Sequence, residues 1–376
     1  MRSTRPPRRA LLRLAVAAPL LTLTLAAGCE MRTIKDDAKR DTSVVAPAVN
    51  DSARLAQVSA GTSGVPAVPS DSVARASDSG HVTLYPASPR RGGVIWAFAD
   101  GVVTPVPHCT WKGAPLPCYA GNGGVVATIP LPADEPAGTF TLTIDRSSGR
   151  ITRQVTVADR DFGRELVFLD APHYALTQRG ADVARDARAV RGVLSAESAA
   201  RRWSGAWREP VPFRDAGGYG VERFYYRATD SSRAISLGSQ GSPRGTFGAD
   251  TSVGKSGDVP SWRHAGVDLA ARRGAPVVAP AAGTVADVGD YVLTGHTVLL
   301  DHGQGLFTAY FHLDSALVQK GDVVRAGRTI GQVGATGLAT GPHLHYGVYV
   351  HGRDVDPVAW KDMPAWALGD TTGTKK

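Results

Sequence analysis

Apolar and polar positions alternate in short runs over most of this 376-residue chain. Val82–Tyr85, Gly93–Phe98, Val125–Ile129, Thr139–Ile144 and Ile151–Val157 are such runs, split by Gly, Pro and Asp turns. Alternation puts successive side chains on opposite faces, so each run predicts a half-buried strand. Strands this closely spaced over residues 81–158 predict a small β-sandwich. The pattern then changes. Val183, Ala187, Val190, Val193, Leu194 and Ala199 recur at roughly helical spacing between Ala181 and Trp203, which predicts one or two helices in a connector over 159–235. Trp203, Trp207, Phe224 and Tyr225 fall in this connector and are expected to pack it onto its neighbour, lining a groove being the alternative. From Ile235 to about Val358 short strands and glycine turns return.

Composition reinforces a mainly β reading, with 43 glycines and 25 prolines. Residues 30–80 hold no aromatic residue and no sustained period, and read as a disordered tether. The net charge of +8 invites a polyanion partner, but Arg2, Arg5, Arg8, Arg9 and Arg13 belong to a leader, and without them the balance is 37 − 34 = +3. No basic block interleaved with aromatics follows, so no nucleic-acid partner is expected. The leader joins its arginines to an apolar run from Leu14 to Ala27, too short for a confident membrane span, and ends in small residues, as a secretory signal does. Leu25-Ala26-Ala27-Gly28-Cys29 resembles a bacterial lipobox, which implies export, acylation of Cys29 and a lipid anchor in a membrane facing the periplasm. Cys109 and Cys118 then remain as a pair in an oxidising compartment, and a disulfide is expected, two zinc-binding thiolates being the alternative.

Seven of the ten histidines fall between His264 and His351. Three constellations stand out: His264-Ala265-Gly266-Val267-Asp268-Leu269, Tyr310-Phe311-His312-Leu313 and His343-Leu344-His345. On a strand, His343 and His345 share a face. Catalytic zinc takes three ligands from His and Asp/Glu, leaves a position for water and lowers that water's pKa to about 7. His264, Asp268 and His345 form one such set, with His312 and His343 beside it to orient water and move protons. His302, in an Asp-His-Gly turn, reads as structural, and Asp301 and Asp314 as candidates to orient a histidine.

Together with Gly245-Thr246-Phe247-Gly248, Gly274-Ala275-Pro276-Val277, Ala282-Gly283-Thr284-Val285, Asp301-His302-Gly303 and Thr340-Gly341-Pro342, these stretches resemble the lysostaphin/LytM-type zinc peptidases of bacterial cell walls over roughly 236–358. The resemblance implies a β-rich catalytic domain with an open groove for an extended peptide. It implies zinc on His264, Asp268 and His345, and His312 and His343 as the catalytic pair. Two departures are visible: an insertion from Ala249 to Asp258, and no tyrosine just before His264, where Trp262 stands nearby.

The expected organisation is a lipoprotein signal peptide (1–28), tether (29–80), immunoglobulin-like β-sandwich (81–158), partly helical connector (159–235), zinc peptidase domain (236–360) and disordered tail (361–376). The expected activity is hydrolysis of peptidoglycan peptide cross-links. A non-enzymatic wall-binding or amidase-activating scaffold of the same fold is the alternative, and the sandwich is a candidate surface for a regulatory protein partner.

Overall fold

The computed structural model describes residues 81–101, 107–147, 149–212, 218–230 and 260–363, all within a compact unit, Ala74–Lys376. The leader with Cys29, the tether, the Gly245–Gly248 stretch, the 249–258 insertion and the tail beyond 363 lie outside the described residues.

Eight strands build the first module: β1 (Val82–Tyr85), β2 (Val94–Asp100), β3 (His108–Trp111), β4 (Ala114–Leu116), β5 (Cys118–Gly121), β6 (Gly124–Pro130), β7 (Gly138–Arg146) and β8 (Gly149–Val157). They form two four-stranded antiparallel sheets, ordered β1-β2-β6-β5 and β4-β3-β7-β8. Alternate residues Ile95, Ala97 and Ala99 of β2 meet Leu142 and Ile144 of β7 in a buried cluster drawn from both sheets. Cys109 of β3 and Cys118 of β5 are disulfide-bonded, which staples one sheet to the other. The opposite face of β2 is buried too, because Val94 and Trp96 join the downstream core, Trp96 standing edge-on to Trp360 at 5.3 Å.

β9 (Arg164–Leu169) leads into α1 (Ala171–Thr177) and α2 (Gly180–Leu194), and β10 (Glu222–Arg227) returns beside β9 in parallel. Parallel neighbours need a crossover, which the two helices provide. β10 also pairs antiparallel with β11 (Ser261–Arg263). The stretch read as a connector therefore shares a sheet with the segment that carries His264.

The remaining strands are β12 (Val267–Ala270), β13 (Pro276–Val278), β14 (Gly283–Tyr291), β15 (Gly295–Gly303), β16 (Leu306–Ala316), β17 (Val323–Val324), β18 (Thr329–Val333), β19 (His343–Val350) and β20 (Arg353–Val355). They form one nine-stranded sheet whose main path runs β12-β19-β16-β15-β14-β17. Along β19, Leu344, Tyr346, Val348 and Val350 enter the main core. On the other face of the sheet, Leu299, Phe307, Ala309 and Phe311 pack with Leu194, Val190 and Val193 of α2. Trp203 and Trp207 pack into the main core, Trp207 donating through Nε1 to the Tyr346 hydroxyl at 3.1 Å. Leu344 is fully buried directly between two of the site histidines. Replacing it by alanine deletes apolar contacts and leaves a cavity, so Leu344→Ala is expected to destabilise the protein by about 3 kcal/mol. Urea unfolding of the two proteins checks this; an unchanged midpoint would show that this face of β19 does not anchor the sheet.

Candidate metal centre

Strand register assembles the centre. Asp268 on β12 lies directly opposite His345 on β19. His343, two residues earlier, falls on the same side of β19 as His345. His264 comes from the turn between β11 and β12, where its backbone N–H donates to Val221 O at 2.8 Å. Its ring Nδ1–H donates to Gly218 O at 2.8 Å, leaving the Nε2 lone pair turned toward Asp268 and His345. Two glycines make this approach possible. A β-carbon on Gly218 (φ +89°) would lie 3.0 Å from His264 Nδ1, and one on Gly266 would lie 2.7 Å from His345 Nε2.

His264 Nε2 lies 3.0 Å from Asp268 Oδ1 and 2.9 Å from His345 Nδ1, and the last two atoms are 3.1 Å apart. With His264 protonated at Nδ1, neutral imidazoles leave at most one proton among these three atoms, so acceptors face one another. A cation resolves that conflict. Tetrahedral zinc with bonds of roughly 2.0–2.1 Å sets its ligand atoms about 3.3 Å apart, close to the triangle seen here. Burial alone would raise the Asp268 carboxyl, but hydrogen bonds to His264 and His345 outweigh it and hold it well below the usual carboxylate range. Burial lowers His345 to about 4, keeping the imidazole neutral as a metal ligand must be.

His312 reaches the centre through a break in strand geometry. Between the pairs Val298↔Tyr310 and His296↔Leu313, β16 contains one more residue than β15, a β-bulge, and His312 adopts φ +61°. This left-handed conformation is uncommon for a residue with a side chain and carries local strain. It lets Phe311 stack on His345 at 5.0 Å while His312 lies 4.9 Å from the His343 ring. His312 Nδ1–H donates to Thr336 O and His343 Nδ1–H to Gly341 O, both at 2.8 Å, so each leaves Nε2 as an acceptor. His343 Nε2 is 3.6 Å from Asp268 Oδ1. Burial, followed by the neighbouring imidazoles, lowers His312 to about 3.

The other candidates lie apart. His302 is buried between Ala282 O and Thr308 Oγ1, both at 2.8 Å, and its imidazole is lowered to about 4 chiefly by burial. Asp301 caps the Gly303 N–H at 2.7 Å and Asp314 pairs with Arg273, so neither orients a site histidine.

A cleft of about 670 Å³ opens over the five residues. β19 forms its floor and α2, with Val190, Arg191 and Leu194, its far wall. The resemblance implied an open groove; this one is walled on one side by the upstream helix. Tyr225 of β10 also lines the cleft, its phenol pushed up to about 12 chiefly by burial. Arg223 of the same strand contacts Asp268. Sequence patterns did not single out Gly218 or Arg223, because only the β10–β11 pairing brings them to the centre.

In the folded, metal-free protein His312 and His345 stay neutral well below the pH near 6.5 at which unfolded histidine titrates. As pH falls through 6.5 the unfolded chain therefore takes up protons first, and stability present above that pH is lost toward pH 4. The lowered Asp268 acts in the same direction at still lower pH. Chelator-treated protein is expected to show a melting temperature that declines from pH 7.5 to pH 5, and zinc is expected to raise it at both ends of that range, since the His345 imidazole and the Asp268 carboxylate take up no proton there. Calorimetry across that range checks both; a flat profile would contradict the buried neutral imidazoles.

Comparison with known proteins agrees with this chemistry. The sequence profile of peptidase family M23 matches residues 262–357. The DD-carboxypeptidase/endopeptidase Mpg of Neisseria meningitidis serogroup B is 45% identical over 100 residues, 26% of this chain and 23% of that protein. Peptidoglycan DD-endopeptidase ShyB of Vibrio cholerae is 42% identical over 101 residues, 27% of this chain and 24% of that protein. The chain thus spans about a quarter of the length of these curated relatives. A solved M23 peptidase structure from Pseudomonas aeruginosa is 26% identical and superposes with a TM-score of 0.49, covering 73% of this chain and 95% of that one. Peptidases of this family are zinc-dependent, and among the described residues His264, Asp268 and His345 are the group suited to the ion. The domain that holds this centre, residues 262–357, belongs to peptidase family M23.

Proposed function

We propose that the chain is a zinc-dependent endopeptidase that hydrolyses peptide cross-links of bacterial peptidoglycan. The observation that carries this reading is the convergence of His264, Asp268 and His345 within 2.9–3.1 Å of one another, with His312 and His343 beside them in a cleft. The names of the relatives, a DD-carboxypeptidase/endopeptidase and a peptidoglycan DD-endopeptidase, support the substrate class, and in a Gram-negative cell the family resemblance favours a D-alanyl–diaminopimelate cross-link over a glycine bridge.

His264 Nε2, Asp268 Oδ1 and His345 Nδ1 would hold the metal. Bound there, zinc supplies a Lewis acid for the scissile carbonyl and lowers the pKa of water. His312 and His343 present their free Nε2 atoms on the same side, because Thr336 O and Gly341 O fix their Nδ1 protons. Either nitrogen can accept a proton from the attacking water and pass it to the leaving amine. Once protonated, the same group donates to the oxyanion, which gains strength from the buried setting. The bulge and positive φ at His312 aim its ring into the cleft before substrate arrives.

We also place the protein outside the cytoplasm, lipid-anchored through Cys29 and facing the periplasm, with the sandwich as a surface for a regulatory partner. The Leu25–Cys29 sequence supports the anchor, and the Cys109–Cys118 disulfide supports an oxidising compartment.

Digestion of purified sacculi, with products read by mass spectrometry, tests the activity. The chain from residue 30 onward is expected to convert cross-linked dimers to monomers. His345→Ala should lose zinc and cutting together. His343→Ala should keep zinc while turnover falls about 10²–10⁴-fold. Wild type that binds zinc yet releases no new peptide termini from any sacculus type would reject the peptidoglycan substrate.

A further inference from the structure

Arg223 stands outside the matched peptidase segment, yet it touches the centre directly. Its Nη1 lies 2.9 Å from Asp268 Oδ2, while Asp268 Oδ1 faces His264 and His345. Its Nε donates to Glu165 Oε2 at 2.7 Å. Strand register sets this arrangement, since Arg223 of β10 is the partner of Glu165 on β9 and of Trp262 on β11, two residues before His264. The seat is tight: a β-carbon on Gly218 would come within 3.1 Å of Arg223 Nη2.

From this geometry we infer that Arg223 is a positioning residue for the metal centre, orienting Asp268 through Oδ2 so that Oδ1 alone is presented to the ion, and that Glu165 is its counter-charge. The inference rests on the reading of Asp268 as a metal ligand. A carboxylate is otherwise free to turn about its terminal torsion and to offer either oxygen or both. One guanidinium nitrogen on Oδ2 removes that freedom, in the way that hydrogen-bonded partners of metal-binding carboxylates commonly do. A cation this close would by itself repel an incoming divalent ion. Glu165, held on the same guanidinium, offsets that repulsion and leaves the orienting contact in place. A lysine cannot reproduce the arrangement, because its single ammonium lacks the rigid fork that serves two carboxylates at once.

The two effects of Arg223 predict opposite signs, which makes the inference testable with the metal alone. Zinc affinity of the full chain would be measured by chelator competition, with Co²⁺ absorption reporting coordination and thermal unfolding in chelator reporting the metal-free fold. If Arg223 positions Asp268, both Arg223→Gln and Arg223→Lys weaken zinc binding, Arg223→Gln by about ten-fold or more, and change the Co²⁺ spectrum. Glu165→Gln, which keeps the orienting contact but uncovers the charge, weakens binding by a smaller factor and leaves the Co²⁺ spectrum as in wild type. Unchanged or tighter zinc binding by Arg223→Gln would overturn the inference. So would a lower metal-free melting temperature in either Arg223 variant with affinity and spectrum intact, which marks a merely structural contact. Wild type without stoichiometric zinc, or Asp268→Asn that retains it, would overturn the metal reading itself and this inference with it.

Discussion

Two imidazole nitrogens and a carboxylate oxygen held about 3 Å apart repel one another as lone pairs unless a proton or a cation sits between them. Much of the surrounding architecture answers to that constraint. The β12–β19 register sets Asp268 against His345, Gly218 O removes the alternative tautomer of His264, and Gly266 clears the space that the His345 ring occupies. Beneath them, Leu344 and Tyr346 root β19 in the main core. The folding free energy of that core is what holds unfavourable neighbours together, and metal binding returns part of the cost.

The centre draws on elements far apart in sequence for a physical reason. A ligand set for a tetrahedral ion must approach from several directions, and one pleated strand offers only one face. β19 therefore contributes His345, β12 the carboxylate from alongside, and the turn before β12 the remaining histidine, His264. Because β10 pairs with β11, the loop that begins at Gly218 becomes part of this third approach. The centre is thus completed by a ribbon that lies upstream of the segment matched to the family.

What the chain revealed in advance follows from the range of the interactions. Strand periodicity is local, so the mainly β class, the alternation along β2 and β6 and the shared face of His343 and His345 could be read directly. The helical spacing around Val183 to Leu194 likewise marked α2. The inward turn of His312 could not be read, since it depends on an extra residue in β16 and a positive φ that alternation does not encode. Nor could the roles of Gly218 and Arg223, which arise only when β9, β10 and β11 pair. The motif reading began the peptidase domain at residue 236, and Glu222–Arg227, upstream of that bound, is the strand that pairs with the segment leading into His264. Tyr225 on that strand faces the cleft, in a chain whose sequence offers no tyrosine immediately before His264.

The wall formed by α2 has a consequence for how such a protein can diverge. Four of the five residues at the centre lie on the sheet and His264 in the turn before it, while another side of the cleft belongs to a helix encoded some seventy residues earlier. Substitutions at Val190, Arg191 or Leu194 change the shape and charge that an incoming chain meets without altering any of the five residues at the centre. Selection can therefore retune which extended chain the cleft admits while the five residues at the centre stay constant. Descendants of one ancestral peptidase could separate by substrate through changes outside the segment by which their kinship is recognised.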